Sequence, residues 1–190
     1  MTQLRRYAQA DCPVAVRGQI IQLLKLAWPA TFKEDVPEWP TEAAELNPIS
    51  FVLSVSDLVV CHAAVVSKSI VHVGSQYLAF GICAMVTAPK FRRRGFGRLV
   101  FEDATKYMEQ ERADIGVFTC DGALQEFYEC NGWSVSTKAP LIGGTKEKPF
   151  RSDELGKVTL LNMFSDRARA ARKAIVSVPI QIELGEGKLW

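Results

Sequence analysis

Four segments in the first half of the chain are predicted to be strands, and the last three are rich in β-branched and aromatic residues between short polar turns. These segments are residues 4–8, 51–56, 58–73 and 77–87. Two-residue turns at 56–57 and 74–75 make the last three strands an antiparallel meander. Between the first and second strands, apolar residues recur at helical spacing over 14–28, and Pro29 ends this predicted helix.

The periodicity becomes helical after the meander. Apolar residues that include Leu99 fall on one face of a predicted helix over 96–111, and a shorter helix over 121–131 ends at Gly132. Further strands are predicted at 115–119, 133–137, 157–164 and 174–182. A Gly/Pro/Lys loop spans 140–149, and a basic turn is expected to join the last two strands as a hairpin. This order of elements predicts an α+β fold with a mixed sheet.

Composition excludes several classes of protein. With 190 residues, 48% hydrophobic and 23% charged, the chain is an ordinary globular domain rather than a disordered or collagen-like one. It has no apolar run of about 18 residues, and no apolar stretch follows Arg5 and Arg6, so we expect neither a membrane span nor a secretory signal. The five cysteines show no C-x-x-C spacing, which argues against a disulfide framework or a metal site. A cytoplasmic location is expected.

The net charge of +2 hides three clusters. Acidic residues occur without basic ones between 34 and 45, and basic residues occur without acidic ones between 90 and 98. A third, basic cluster at 167–173 lacks interleaved aromatic residues, so no nucleic-acid partner is expected. The first two clusters either lie on solvated faces or hold a cationic and an anionic ligand side by side.

A basic loop with two glycines joins the third meander strand to the long helix. The first turn of a helix has unpaired N–H groups and a partial positive charge, and Gly95 and Gly97 allow an anion to approach that backbone closely. The neighbouring arginines add positive charge, so the loop suits a pyrophosphate. The spacing is not that of a Walker loop, and a dinucleotide fingerprint would need a third small residue where Val100 stands.

The remaining pattern, Arg92-x-x-Gly95-x-Gly97, resembles the acetyl-CoA loop of the GNAT N-acetyltransferase superfamily. The order strand–loop–helix–strand–helix over residues 50–137 also resembles the core of that superfamily. The resemblance implies a GNAT acyltransferase fold, in which helices flank a mixed central sheet. It also implies one acetyltransferase domain over 1–190, with its core at 50–137 and C-terminal strands and an acceptor-site tail at 138–190.

The same resemblance implies roles for individual residues. Acetyl-CoA is the expected co-substrate, and its pantetheine arm is expected to pair with the backbone of Met85, Val86 and Thr87. Its pyrophosphate would be held by Arg92, Arg93, Arg94, Gly95, Phe96, Gly97 and Arg98. Tyr128 matches the family's tyrosine near the thioester sulfur, where a phenol protonates the departing thiolate. The alternative is that Tyr128 only packs on the sheet.

Other segments resemble the aminoglycoside 2′-N-acetyltransferases within this superfamily. They are Cys61-His62-Ala63-Ala64-Val65-Val66, Ala84-Met85-Val86, Phe127-Tyr128, Gly132-Trp133 and the final Trp190. By this resemblance the Trp190 carboxylate grips a substrate amine, although Trp190 is alternatively an apolar plug, and Thr119 stands where the family has a serine. The acidic positions expected near the acceptor are Asp35, Glu38, Asp153 and Glu154.

Two positions depart from the pattern of that family. Cys83 stands where the family has a glutamate that acts as general base through water, and Lys188 stands where it has an aspartate. The acceptor site therefore changes by about three charge units, and each lost close pair with an ammonium group costs about 1–3 kcal/mol. An acceptor with few amines and its own carboxylate fits better, and kasugamycin is such an antibiotic. Resistance to it is the expected role.

The expected mechanism is direct transfer to the 2′-amine within a ternary complex. The base stays unassigned among Glu154, Asp35, Glu38, Asp121 and His62, with His62 alternatively a buried core residue. Acyl transfer through Cys83 is a further alternative. Rival interpretations are an N-acetyltransferase for another small amine or a protein terminus, and a non-catalytic acyl-CoA-binding module. Relatives of this kind are often homodimers, so a homodimer is expected.

Overall fold

A computed structural model describes residues 1–31 and 39–190 of the chain. The contacts divide it into two compact units. The first comprises Met1–Ser67 and Ile82–Tyr107, and the second comprises Lys68–Gly81 and Met108–Trp190. Each unit is described separately below, and the expectation of one acetyltransferase domain over 1–190 stays a prediction.

The first unit is built on an antiparallel meander. Its strands are β1 (Thr2–Ala8), β2 (Ile49–Val55) and the first parts of β3 (Leu58–His72), together with the last part of β4 (Ser75–Thr87). They neighbour one another in the order β1–β2–β3–β4, and β2 runs antiparallel to both β1 and β3. Ser56 and Asp57 both have positive φ, of 47° and 66°, which is the backbone that a two-residue hairpin turn requires.

Two helices belong wholly or mainly to this unit. They are α1 (Val14–Ala27) and α2 (Phe96–Gln110). Helix α1 follows Pro13 and buries Ile20, Leu23 and Leu24 with the strand residues Val52 and Val59. Helix α2 buries a stripe that consists of Val100, Phe101, Ala104 and Met108. The prediction that Leu99 lies on the buried face is wrong, because the stripe is centred one residue later and leaves Leu99 exposed.

The second unit continues from β4 with the order β4–β5–β9–β6. Its elements are β5 (Ile115–Asp121), α3 (Gln125–Glu129), β6 (Ser134–Ser136), β7 (Leu141–Gly144), β8 (Pro149–Arg151), β9 (Lys157–Met163), α4 (Asp166–Ala170), α5 (Arg172–Ile175) and β10 (Ile180–Gln181). Strand β5 is parallel to β4 and antiparallel to β9, so the sheet is mixed, as predicted. A small second sheet has the order β10–β7–β8.

Three sequence predictions in this unit need correction. The strand expected over 174–182 is confirmed only at its end, as the short β10, which runs parallel to β7. Its expected basic hairpin turn is replaced by α4 and α5, because Ser165 caps α4 by accepting a hydrogen bond from Ala168 N–H and the segment is rich in helix-forming residues. The expected loop over 140–149 contains β7, whose pairing partner β8 starts at Pro149. The helix expected over 121–131 is a 3₁₀ turn at Gly122–Leu124 followed by the short α3.

Candidate active site

The basic loop of the first unit leaves β4 at Thr87 and passes through a 3₁₀ turn at Pro89–Phe91. Arg92 folds back so that its Nε donates to the Thr87 carbonyl at 3.1 Å. Arg93 and Gly95 have positive φ, of 58° and 78°. Left-handed residues that alternate with others turn successive N–H groups into an anion-binding nest. Gly95 of the Arg92-x-x-Gly95-x-Gly97 pattern is therefore a glycine because its backbone is left-handed.

The positive charges of this loop reach solvent. Arg92, Arg93 and Arg94 are exposed, and Arg94 lies over the ring of Phe91 at 5.2 Å from its centroid. Phe91 in turn packs beside Phe96, the first residue of α2. The last cation, Arg98, donates to Glu102 one turn later in α2 at 2.7 Å, so part of its charge is compensated. Gly97 is half-buried in the first turn of α2.

The end of β4 before this loop is kinked. Ala84 has a φ of +51°, which is uncommon for a residue with a side chain. On either side of it, Cys83 and Met85 are half-buried, and the Cys83 thiol lies 3.7 Å from the Ala64 carbonyl. Val86 is buried, and the hydroxyl of Thr87 lies 3.1 Å from the Cys61 sulfur. The predicted pantetheine-pairing residues therefore directly follow a backbone irregularity.

His62 lies in the core of the first unit and is fully buried. Its Nδ1 is 3.1 Å from the Ala84 carbonyl, and its Nε2 is 3.0 Å from the Ser50 hydroxyl. Burial lowers the pKa of His62 to about 4. The ring is therefore neutral at neutral pH and hydrogen-bonded on both sides, which matches the interpretation of a core histidine.

In the second unit, the structure brings Thr119 and Trp190 together. Both the backbone N–H and the hydroxyl of Thr119 donate to the main-chain oxygen of Trp190, at 2.8 and 2.5 Å. The Trp190 side chain is only 4% exposed, and its indole N–H is buried with no hydrogen-bond partner among the residues that the structure describes. We call this arrangement of Thr119 and Trp190 the Trp190 clasp.

Gly81 on β4 makes room for the Trp190 clasp. A Cβ atom at Gly81 would lie 2.4 Å from the Trp190 ring, a distance at which atoms overlap. Sequence reasoning missed Gly81, because an isolated glycine in a strand signals a close approach without saying what approaches.

Tyr128 lies on α3 and is only 5% exposed. Its ring meets the edge of Phe118 at a centroid distance of 4.9 Å and lies 5.0 Å from the Phe127 ring. Phe118 also packs against Trp133, at 4.8 Å. These aromatic contacts in the second unit hold the ring of Tyr128 in place. They are compatible with both roles expected for Tyr128, the proton donor and the residue that only packs on the sheet.

Three carboxylates singled out by the sequence analysis, two expected near the acceptor and Asp121 as a candidate base, have cationic partners. Asp153 accepts two hydrogen bonds from Arg151, at 3.0 and 2.8 Å, and these bonds lower the pKa of its carboxyl group. Glu154 lies 3.9 Å from the same guanidinium, and Asp121 pairs with Lys157 at 2.5 Å. The sequence did not indicate the pair of Asp121 and Lys157, because it depends on the register between β5 and β9.

The remaining predicted residues divide into two groups. Lys188 is exposed, and its carbonyl accepts the Gly144 N–H at 3.0 Å. Asp35 and Glu38 lie outside the described residues.

Within 1–31 and 39–190, no group of three or more His, Cys, Asp or Glu side chains is arranged to hold a metal ion. None of the helices in these same ranges has the length and apolar character needed to cross a bilayer.

Comparison with known proteins identifies the family. A model of the acetyltransferase (GNAT) family matches residues 20–133, which is more than half of the chain. The chain therefore belongs to the GNAT acetyltransferase family. It is an acyl-CoA-dependent N-acetyltransferase of the GNAT type, and acetyl-CoA is the acyl donor of this family.

Solved structures agree on the fold. Escherichia coli ElaA has 12% sequence identity and a TM-score of 0.61, over 85% of this chain and 99% of that one. An acyl-CoA N-acyltransferase from Pseudomonas aeruginosa has 13% identity and a TM-score of 0.61 over the same shares. Glucosamine-6-phosphate N-acetyltransferase from Arabidopsis thaliana has 15% identity and a TM-score of 0.52, over 70% of this chain and 92% of that one. No curated protein sequence matches the chain.

Proposed function

We propose that this GNAT enzyme acetylates the 2′-amino group of an aminoglycoside-type antibiotic with few amines, such as kasugamycin, and thereby confers resistance. The observation that carries the proposal is the Trp190 clasp, in which Thr119 donates two hydrogen bonds to Trp190. The resemblance to aminoglycoside 2′-N-acetyltransferases assigns both residues to the acceptor. Their contact in the structure supports that assignment, because a shared acceptor site requires two positions 71 residues apart to lie close together, and they do.

The loop over 92–98 is proposed to bind the acetyl-CoA diphosphate. The backbone is left-handed at Arg93 and Gly95, and α2 begins directly after them. Both features leave N–H groups and positive charge within one short segment, where an anion binds. Titration calorimetry with acetyl-CoA tests this role. We expect the Arg92→Gln/Arg94→Gln double variant to bind about 30-fold more weakly, since each of the two charge-assisted contacts is worth about 1 kcal/mol or more. Absence of any binding heat from wild type at millimolar acetyl-CoA would contradict the whole proposal.

The chemistry proposed for Tyr128 is proton donation. The neutral amine nitrogen attacks the thioester carbonyl carbon, the carbon–sulfur bond breaks, and Tyr128 donates its phenolic proton to the thiolate. The attacking amine gives up one proton to a base that stays unassigned. Among the candidates, Glu154 and Asp121 are exposed and lie beside cations, Glu154 beside Arg151 and Asp121 beside Lys157.

Tyr128→Phe tests this step with little disturbance of packing, because phenylalanine keeps the ring that contacts Phe118. We expect kcat to fall about 100-fold with unchanged acetyl-CoA affinity, the effect typical of a lost general acid. A variant that retains full kcat would remove Tyr128 from the mechanism and leave it as a packing residue.

The charge of the tail and of the loop after β8 favours an acceptor with few amines. Lys188 adds a cation, and Arg151 neutralises much of the charge of Asp153. A polycationic acceptor gains less from such a lining than a molecule with one amino sugar and a carboxylate.

A thiol-release assay with kasugamycin, kanamycin and gentamicin tests the acceptor. We expect turnover of kasugamycin and at least tenfold lower kcat/KM for the other two antibiotics, since each unmatched ammonium loses about 1 kcal/mol or more. Fast turnover of kanamycin and gentamicin with none of kasugamycin would overturn the assignment. Turnover only of other amines or of a peptide terminus would favour the rival enzyme, and tight acetyl-CoA binding without transfer to any amine would favour a binding module.

A matched pair at Thr119 tests the Trp190 clasp itself. Thr119→Ser keeps the hydroxyl that donates to Trp190, whereas Thr119→Val keeps the shape and loses the donor. We expect the valine variant to raise the KM for the antibiotic about tenfold and the serine variant to stay within about threefold of wild type. Equal KM values in the two variants would show that the hydroxyl has no role in acceptor binding.

A further inference from the structure

A connected series of hydrogen bonds in the first unit reaches from Thr41 to the carbonyl of Ala84, the residue at which β4 is kinked. Its members are Thr41, Gln9, Ser50, His62 and Ala84. Gln9, Ser50 and His62 are each fully buried. Buried polar groups that are all satisfied specify one local geometry, because any other arrangement leaves a donor or acceptor unpaired.

Chemistry fixes the direction of every hydrogen bond near His62. The Ala84 carbonyl can only accept, so Nδ1 of His62 carries the proton. The ring is neutral, since burial lowers its pKa to about 4, and Nε2 therefore accepts from the Ser50 hydroxyl. Ser50 in turn accepts from the Gln9 amide at 3.3 Å.

Gln9 is itself held from several directions. The backbone N–H of Thr41 donates to Oε1 of Gln9 at 2.9 Å, and the Gln9 amide donates to the Thr41 hydroxyl at 3.0 Å. The Trp39 indole N–H donates to the Gln9 carbonyl at 2.7 Å. Because Gln9 is fixed in this way, the hydrogen bonds allow only one tautomer of His62, the one with its proton on Nδ1.

Ala84, whose carbonyl accepts the Nδ1 proton of His62, has a strained backbone. Ala84 has a φ of +51°, where its Cβ crowds the backbone, and such residues persist only when their surroundings enforce them. The kink breaks the alternation of β4, so that Cys83, Ala84 and Met85 are all half-buried in succession. The backbone of Met85, Val86 and Thr87, assigned above to the pantetheine arm, begins at the next residue.

We propose that His62 is a positioning residue for acyl-CoA binding, because its Nδ1–H clamps the Ala84 carbonyl and fixes the kink from which the pantetheine-pairing backbone runs. The inference rests on the proposed acetyl-CoA site. It assigns His62 a role other than general base: the imidazole reaches no substrate and acts through the backbone of β4. The ligand affected is the pantetheine arm of the acyl donor.

Two amide variants separate the donor from the rest of the ring. The amide nitrogen of His62→Asn can take the place of Nδ1 and donate to Ala84, whereas that of His62→Gln takes the place of Nε2 near Ser50. Calorimetry with acetyl-CoA is expected to show affinity within about threefold of wild type for His62→Asn. For His62→Gln we expect a loss of about tenfold, the effect of one lost hydrogen bond.

A destabilised control distinguishes positioning from a merely structural role. Ile20→Val removes a buried methyl group of α1 in the same unit and is expected to lower Tm while leaving acetyl-CoA affinity unchanged. If His62→Gln does not fold, Ser50→Ala replaces it, because loss of the Ser50 donor leaves Nε2 unpaired and is expected to weaken binding at least about fivefold, outside the range allowed for His62→Asn.

The outcomes keep this inference apart from the proposed function. Wild-type protein that binds no acetyl-CoA would overturn both. Wild-type protein that binds, together with a His62→Gln variant of equal affinity, would overturn only the role of His62. Affinity losses of the same size in the Asn and Gln variants would also overturn it, since the proton on Ala84 would then be irrelevant. If Ser50→Ala replaces His62→Gln, its acetyl-CoA affinity is compared with that of wild type in the same way, and equal affinity would overturn the role of His62.

Discussion

At the scale of single residues, Gly81 faces the ring of Trp190 in the proposed acceptor site. Its missing side chain leaves the space that the Trp190 ring occupies. We expect Gly81→Ala to displace the ring and to lower the free energy of unfolding by about 1–3 kcal/mol, the usual cost of overpacking. Antibiotic KM should rise in the same variant. Urea unfolding and steady-state kinetics measure the two effects.

Gly18 provides the matched control for this substitution. It lies inside α1, and a Cβ atom there would meet nothing within 4 Å. Alanine is the better helix former by about 0.5–1 kcal/mol, so Gly18→Ala should raise stability and leave KM unchanged. If both variants lose stability to the same extent, crowding by Trp190 is not the reason for glycine at position 81.

The histidine in the core of the first unit predicts how stability depends on pH. Burial lowers the pKa of His62 from 6.5 to about 4, so between these values the unfolded chain binds a proton that the folded chain does not. The free energy of unfolding should therefore fall as the pH drops from about 6.5 towards 4, by at most about 1.4 kcal/mol per pH unit. Urea unfolding at several pH values measures this slope.

His62→Asn is the control, because asparagine does not titrate in this range. The other histidine, His72, is present in both proteins, and its contribution cancels in the comparison. A variant with the same slope as wild type would show that some other group causes the pH dependence.

At the scale of elements, Asp114 ties together three segments of the second unit. It precedes β5, accepts the N–H of Leu78 on β4 at 2.9 Å, and accepts two hydrogen bonds from Arg167 of α4. The Arg167 contact lowers the pKa of Asp114 to about 2. We expect Asp114→Ala to cost about 1–3 kcal/mol, because the Leu78 N–H and the Arg167 guanidinium lose their acceptor. Chemical denaturation measures the loss.

Asp166→Ala is the corresponding exposed control. Asp166 pairs with Arg169 at 2.8 Å, but its side chain is fully in solvent. An exposed pair of this kind contributes about 0–1 kcal/mol, so little change is expected. Equal losses at the two aspartates would show that the contacts of Asp114 with Leu78 and Arg167 contribute no more than one exposed ion pair.

The elements also show what local pattern can and cannot predict. The meander was predictable because β-branched runs end at turns such as Ser56-Asp57, whose residues tolerate positive φ. The helices α4 and α5 were missed because the basic residues of 167–173 resemble a turn between two strands, and the apolar residues of 174–182 satisfy a strand pattern. The short β7 was missed because its glycines, Gly143 and Gly144, normally indicate a loop.

At the scale of the whole molecule, the charge clusters matter more than the net charge of +2. The exposed arginines of the loop over 92–98 attract anions through solvent, where salt screens them. Raising NaCl from about 50 to 500 mM should weaken acetyl-CoA binding about fivefold, and the Arg92→Gln/Arg94→Gln variant should show a smaller dependence. Calorimetry at a series of salt concentrations measures both slopes. Parallel slopes would place the anion contacts elsewhere.

The whole candidate site was only partly accessible from the sequence. The proposed acetyl-CoA loop is a prediction from contiguous residues, because Gly95 and its neighbouring arginines lie within one short segment. The contact between Thr119 and Trp190 needed three-dimensional information beyond the family resemblance, and nothing local at Gly81 or Arg151 indicated their partners. Pairings across distant segments depend on register and packing, which residue type alone does not determine.

The four tryptophans give each unit its own optical reporter. Trp133 and Trp190 are buried in the second unit, whereas Trp28 and Trp39 belong to the first and retain partial access to water. Indole emission shifts to longer wavelength when water reaches the ring. Replacing Trp28 and Trp39 with phenylalanine therefore leaves a blue-shifted signal that follows the second unit alone. The complementary pair of replacements follows the first, so fluorescence can establish in which order the two units melt.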